Sequence, residues 1–431
     1  MSSASSNPAD QAIAHAKRRL VPFLLLMYVV SFLDRANVGF AKQALQQSLG
    51  LSAAAYALGA GLFFVTYALF EIPSNLIMQR VGARVWMCRI MVSWGLVSMA
   101  TMFVTGPISY YALRLMLGAA EAGFFPGVLL YLTYWFPNRT KGQVLGLFYF
   151  GAPLALVLGG PVSGALLQIP STSGLQGWQW MFLIEGLMAV IVGIWAFAYL
   201  QDKPQDVAWL TEIQKAALLK ELSEEEQLRR AYGATGLRSL LKSGPLLYCT
   251  LIYLLIQMSV YGVVFYLPTL VGAMLGRTMG FKVGLVSAIP WVCAVAATYW
   301  IPRTADRHRN HRLLAGLTLF GAGIASALFG SGSSLVAMLA LCFAASGFIA
   351  VQPLFWTLPM GYLADNAAAG GLALINAAGA VGGFLAPNAK VWADTQFSFP
   401  RAGLYLLAGF SLLAAILILG VRKIELSRVR G

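Results

Sequence analysis

Four charged side chains lie inside stretches of sequence that are otherwise apolar. Asp34 and Arg35 are adjacent in SFLDRANVGF, and Arg114 and Glu121 enclose LMLGAA. Seven residues make two helical turns, so Arg114 and Glu121 share one helix face, about 10 Å apart along the axis. Gly118 lies between them on that face and leaves room for a neighbouring helix or a ligand. Asp34 and Arg35, being consecutive, point about 100° apart around a helix. One of them can face a cavity while the other faces an adjacent helix. Two acids supply two proton sites, and two guanidiniums supply two sites that attract an anion. An anion that engages an arginine releases the neighbouring carboxylate and favours its protonation. The pattern therefore allows the coupling of an anion to protons. It also allows a plain ion-pair cluster that holds helices together.

The surroundings of these residues explain why they stand out. The chain has 431 residues, of which 59% are hydrophobic and only 11% charged. Its mean hydropathy is +0.72. A soluble domain carries about 25% charged residues, and a disordered chain is still more polar, so both classes are excluded and the solvent expected is a lipid bilayer. A charge at the centre of a bilayer costs about 2.5–3.5 kcal/mol on insertion scales, which makes four of them a feature to account for. The net charge of +14 comes from short basic gaps between apolar stretches, with no basic run interleaved with aromatics, so no nucleic-acid partner is expected. Cys88, Cys249, Cys293 and Cys342 lie far apart in apolar segments, as packing residues do, without metal-ligand spacing. His15, His308 and His311 all fall outside the apolar segments. Neither a metal nor any other cofactor is expected. The opening MSSASSNPADQAIAHAKRRL is polar and runs into a full-length span, so no cleavable signal peptide is expected.

A membrane helix needs about 20 mainly apolar residues. By that ruler spans fall near 20–43, 54–78, 85–105, 108–132, 142–166 and 180–200, then near 245–271, 283–302, 312–330, 333–357, 369–391 and 402–421. The fold class expected is an all-α membrane protein with twelve transmembrane helices in two six-helix halves. The domain reading is a tail at 1–19, an N-terminal half at 20–200, a linker at 201–244, a C-terminal half at 245–422 and a tail at 423–431. The linker holds seven basic and seven acidic residues, and TEIQKAALLKELSEEEQLRRAY within it reads as an amphipathic surface helix.

Orientation follows from Lys and Arg alone. With the N-terminus in the cytoplasm, the cytoplasmic ends and loops outside the linker hold fifteen of them and the opposite side five. Both termini and the linker are therefore expected in the cytoplasm. Glu185, following Trp178 and Trp180 at the outer end of the sixth span, reads as interfacial. Glu71, two residues before Pro73, reads as a structural residue beside a helix bend.

Six plus six spans, cytoplasmic termini and a charged linker resemble the major facilitator superfamily. The gap after the second span, NLIMQRVGAR (Asn75–Arg84), is similar to the superfamily's loop signature. It keeps Arg80, Gly82 and Arg84, but has Asn75 and Gln79 in place of the usual Gly and Asp. The matching gap in the second half, PRTADRHRNHR, keeps Asp306 and Arg307. The resemblance implies that these loops latch a cytoplasmic gate, with the first latch altered at Gln79. Within the superfamily, SFLDRANVGFA, FEIPSNL, LRLMLGAAEAGFFPGVLLYLTYWFP and GWQWMFLIEG resemble the anion:cation symporter family over nearly the whole chain. The style is similar to permeases for 4-hydroxyphenylacetate, phthalate or tartrate.

That resemblance implies site roles. Asp34 and Glu121 match the family's proton-coupling carboxylates, and Arg35 matches the arginine that binds the substrate carboxylate. Arg114 matches the arginine that pairs with the glutamate, and Tyr67 matches a position that hydrogen-bonds substrate. Trp356 in FWTLP and Asn376 in ALINAAG resemble an aromatic wall and a polar contact; a packing aromatic and a helix–helix hydrogen bond are the alternatives. Gln257 and Tyr261 are placed at the site by their position on the seventh span.

The function expected is secondary active import of a small organic carboxylate with protons by alternating access, in a monomer of the inner membrane whose partners are that anion and the lipid bilayer. The alternatives are a proton-coupled antiporter, to which GAPLALVLGGPVSG (Gly151–Gly164) lends a partial motif, and an uncoupled uniporter. A receptor that binds an anion without moving it is the alternative of another class. No enzyme is expected, because no catalytic constellation stands within the spans.

Overall fold

The computed structural model describes residues 7–171, 174–231, 243–329, 333–362, 365–397 and 401–421. The expected C-terminal tail at 423–431 and the last part of the linker lie outside them. Every regular element among the described residues is helical. The chain divides into two compact units, one of Met1–Gly233 with Met279–Gly284, the other of Ala234–Thr278 with Leu285–Gly431.

The first unit contains α1 (Pro8–Leu49), α2 (Ala53–Val81), α3 (Ala83–Ala100, prolonged by a 3-10 turn over Thr101–Phe103), α4 (Pro107–Glu121) and α5 (Phe124–Trp135). It continues with α6 (Asn138–Tyr149), α7 (Gly151–Leu166), α8 (Gly177–Tyr199) and α9 (Glu212–Ala231). The second unit is built on α10 (Gly244–Leu275), α11 (Phe281–His308), α12 (His311–Leu328), α13 (Ser334–Tyr362), α14 (Asp365–Gln396) and α15 (Ala402–Gly420).

Among the described residues, eleven helical stretches are long and apolar enough to cross a membrane. The twelfth expected span falls in α14, which is long enough but rich in Ala, Gly and Asn. The spans also differ from expectation in detail. Helix α1 starts twelve residues before the expected span at 20, because its polar first turns have a partner in α9. There Gln214 Nε2 donates to Gln11 Oε1 at 3.2 Å, and Arg139 at the head of α6 binds both Asp10 and Glu221 at 2.6 Å. The linker is therefore no separate body up to residue 231; its amphipathic helix belongs to the first unit. The fourth span is two helices. Gly123 takes φ +88° between α4 and α5, a left-handed conformation that glycine adopts without steric penalty. Pro126 then sits in the first turn of α5, where its missing N–H is no loss. The fifth span likewise breaks at Phe150, between α6 and α7.

Helices in lipid associate by close packing of small residues rather than by hydrophobic burial. Helix α3 packs on α8 through a reciprocal glycine contact. A Cβ on Gly95 would lie 2.6 Å from the Gly186 carbonyl oxygen, and one on Gly186 would lie 2.7 Å from that of Gly95. Gly118 brings α4 against α2 in the same way, its Cβ position being 2.0 Å from the Phe63 carbonyl oxygen. In the second unit Gly382 of α14 approaches the Leu254 carbonyl of α10. Large apolar side chains such as Leu69, Ile108, Phe343 and Ile416 are left on the outside, as a lipid-facing surface requires.

Gly186→Ala is expected to destabilise the protein by about 1–3 kcal/mol through overpacking, seen as a lower melting temperature in detergent. Gly146→Ala, where nothing lies within 4 Å of the added carbon, is expected to be neutral or slightly stabilising.

Candidate functional site

The site of the first unit is built on α1. Within two turns this helix carries Ser31, Asp34, Arg35 and Asn37, and the roughly 100° between neighbours sends them to different helices. Arg35 faces α4: its Nε donates to Glu121 Oε1 at 2.7 Å, and Ser31 Oγ donates to the same oxygen at 2.9 Å. Glu121 is fully buried, and its Oε2 has no hydrogen-bond partner among the described residues. The Arg35 guanidinium lies 4.7 Å from the centre of the Tyr67 ring and 5.5 Å from that of Phe63, both on α2. Aromatic faces attract cations, so α2 supplies a second, neutral support for the charge.

Asp34 points away from this pair. It accepts from Asn37 Nδ2 at 3.0 Å and from Ser98 Oγ on α3. Arg114 does not pair with Glu121, contrary to the expectation carried by the family resemblance. Its Nε and Nη2 donate to the carbonyl oxygens of Gly59 and Ala60 on α2, each at 3.3 Å, and its guanidinium lies 5.0 Å from the centre of the Phe63 ring. The separation along α4 explains the difference: Glu121 closes the helix where Arg35 reaches it, while Arg114 sits two turns earlier beside α2.

Glu185 is also a correction. It is 1% exposed, not interfacial, and accepts from Ser163 Oγ of α7 at 2.7 Å. The hydroxyls of Ser31, Ser98 and Ser163 and the amide of Asn37 were not singled out from the sequence. Small polar residues are common in membrane helices, so nothing in their type alone marks them.

In the second unit, Gln257 and Trp356 come together through a residue that was not expected. Tyr253, one turn before Gln257 on α10, accepts from Gln257 Nε2 at 3.2 Å. Its ring lies 4.8 Å from that of Trp356 and 5.0 Å from that of Phe355, both on α13. Gln352 of α13 adds a second amide, its Nε2 donating to Gln257 Oε1 at 2.9 Å. The Trp356 indole Nε1 is buried without a hydrogen-bond partner among the described residues. Tyr261, one turn beyond Gln257, is buried and packs on Phe265 instead. Asn376 lies on α14, which packs against α10.

The loop residues fall apart into two arrangements. Arg84 has its backbone N–H on Asp202 Oδ1 at 2.9 Å, and its guanidinium binds the Phe197 carbonyl and covers the Phe197 ring. Asp202, just past α8, thus sets a carboxylate against the loop that carries Gln79. Gly82 admits it, with φ +97° and a Cβ position 2.9 Å from the Asp202 carboxylate. Arg80 is exposed. In the second unit Asp306 contacts His311 Nε2 at 2.7 Å, and Arg307 is exposed. No group of side chains among the described residues could hold a metal ion.

A buried acid–base pair lies between apolar helices in the first unit, and two amides, a tyrosine and an indole meet in the second. Residues 24–387 match the family model of the Major Facilitator Superfamily, and the chain belongs to that family. It is 46% identical to the inner membrane transport protein RhmT of Escherichia coli (strain K12), over 96% of each chain. It is 41% identical to the "Putative tartrate transporter" of Agrobacterium vitis, over 93% of this chain and 89% of that one. Among solved structures it resembles the partially occluded, inward-open xylose transporter XylE from E. coli, with a TM-score of 0.75 over 95% of this chain and 98% of that one. The identity there is 15%, so that likeness concerns the fold alone.

Arg35→Gln is expected to lower stability by about 3–5 kcal/mol, because the buried Glu121 carboxyl loses the cation that offsets its burial. Glu121→Gln in the same chain should recover most of the loss, and melting temperatures of the two single variants and the double variant check this.

Proposed function

We propose that the chain imports a small organic carboxylate together with protons across the inner membrane by alternating access, with both termini in the cytoplasm and the monomer as the working unit. The observation that carries this reading is the Arg35–Glu121 pair, buried among apolar helices with Glu121 Oε2 unpartnered among the described residues. A substrate carboxylate that takes over Arg35 leaves Glu121 without its cation. In an apolar surrounding that carboxyl takes up a proton rather than keep its charge. The anion and the proton then depend on each other for binding, which is what symport requires.

The other groups have distinct parts in this reading. Tyr67 and Phe63 hold the Arg35 guanidinium through their ring faces, and Asp34 is a second buried acid. On the second unit, the Trp356 indole N–H and the Gln257–Gln352 amides offer donors and acceptors to the hydroxyls of a polar acid. Tartrate, in the name of the Agrobacterium vitis relative, has that chemistry, and it supports a hydroxy acid over an aromatic one. If two protons accompany a monoanion, net positive charge moves inward, and the membrane field contributes about 2.3 kcal/mol per charge per 100 mV.

The test is uptake and charge movement in proteoliposomes offered tartrate, sugar acids and aromatic acids, with and without an inward proton gradient. Accumulation of one acid that depends on the gradient is expected. Glu121→Gln should abolish accumulation while binding of the acid, read by tryptophan fluorescence, persists. Accumulation that ignores both the gradient and Glu121→Gln would establish a uniporter. Substrate leaving against entering protons would establish an antiporter, and binding without movement a receptor.

A further inference from the structure

The second unit contains a cavity of about 30 Å³ between α10, the end of α12, α13 and α15. A water needs only about 10–15 Å³ of such space, but it also needs two to four polar partners. The walls do not offer them. Their only hydroxyls among the described residues, Ser259 and Ser326, donate to carbonyls of their own helices, that of Leu255 at 3.1 Å and that of Ala322 at 2.8 Å. The rest of the lining is apolar. An empty void forfeits the dispersion contacts of the atoms around it, so an apolar group fills it best. Along α10 the lining runs from Leu270 to Ser259, about three turns or about 16 Å, which suits a chain better than a compact molecule. The same helices turn Ile324, Leu328, Phe343 and Tyr405 outward, so the hydrocarbon chains of the bilayer lie at hand.

A cation stands at one end of this cavity. Arg401, the exposed residue before α15, has its guanidinium 5.9 Å from the centre of the Phe329 ring. Phe329 lines the cavity, and so does Leu404, one turn further along the chain. Stacking on a ring occupies the face of a guanidinium and leaves its in-plane N–H donors for oxygen acceptors. Asp394, the acid in the last turn of α14, is already engaged by Lys390 Nζ at 2.5 Å and by the Gly403 N–H at 2.8 Å. No carboxylate pairs with Arg401 among the described residues. The depth fits as well. Helix α15 is long and apolar enough to cross a membrane, which sets Arg401 at headgroup level, a layer of about 5–8 Å on each side of the hydrocarbon. Leu404 and Leu407 line the cavity about 5–9 Å deeper.

We propose that Arg401 and this cavity form a phospholipid site, in which the lipid phosphate accepts from the Arg401 guanidinium and one acyl chain runs past Phe329 and Leu404 into the cavity. The arginine recognises the phosphate, and the apolar walls recognise the chain. The site uses neither substrate nor protons, so it stands or falls apart from the symport reading.

Photolabelling of the full chain in a bilayer tests it. The probe is a phosphatidylglycerol with a diazirine in one acyl chain, and the labelled residues are read by mass spectrometry. Label is expected on Ala344, Phe348 and Leu407 of the cavity in excess of that on the outward Phe343 and Ile416. Arg401→Gln should lower the cavity label about tenfold, as the loss of a charge-assisted contact does, whereas Arg401→Lys should keep most of it. A diacylglycerol with the same diazirine chain and no phosphate should label the cavity as weakly in the wild type as phosphatidylglycerol does in Arg401→Gln. Ala344→Val, which narrows the cavity, should move label to the outward residues with Arg401 intact. Label spread evenly over cavity and outward residues, or cavity label unchanged in Ala344→Val, would overturn the place of the chain. Cavity label unchanged in Arg401→Gln, or equal from the diacylglycerol, would overturn the part of the phosphate. Should Arg401→Gln not fold, the two lipids compared on the wild type still decide the matter.

Discussion

A guanidinium and a carboxylate placed together in an apolar interior are tolerable only while they touch, because neither has water to return to. Arg35 and Glu121 meet this condition across α1 and α4, and the local structure is arranged around it. Ser31 adds a donor to the shared oxygen, and the rings of Tyr67 and Phe63 cover the guanidinium from α2. A pair held this way ties three helices to one electrostatic contact. It also makes the contact responsive, since any anion that competes for Arg35 changes what Glu121 requires.

The helices can converge on that contact because their backbones approach closely. Gly118, on the same face as Arg114 and Glu121, seats α4 against the Phe63 carbonyl of α2, and Gly95 and Gly186 do the same for α3 and α8. Each of these glycines removes a side chain where a charged or hydroxyl group nearby needs a partner on the next helix. Ser98 of α3 can then reach Asp34, and Ser163 of α7 can reach Glu185. The second unit shows a milder version: two amides, a tyrosine and an indole, all neutral, held by aromatic stacking on α13.

Much of this was legible in the chain. Apolar stretches of bilayer length marked the helices, because length and hydropathy are local properties. The exceptional charges marked Asp34, Arg35, Arg114 and Glu121, because a charge in such a stretch is costly wherever it points. The breaks at Gly123 and Phe150 were less visible, since glycine is also common in unbroken membrane helices. Asp202 was hidden for a different reason: as one acid among many in a charged linker, only its contact with the Arg84 backbone singles it out.

The sequence by itself determined that this is a helical membrane protein, where its spans run and which buried charges must be reconciled. The tertiary structure decided how they are reconciled. It gave Glu121 to Arg35 rather than to Arg114, and it moved Glu185 from an expected interface into the interior beside Ser163. The physical reason is that burial cost belongs to a residue and its own helix, whereas an ion pair or hydrogen bond depends on a distance of a few ångströms between helices far apart in the chain.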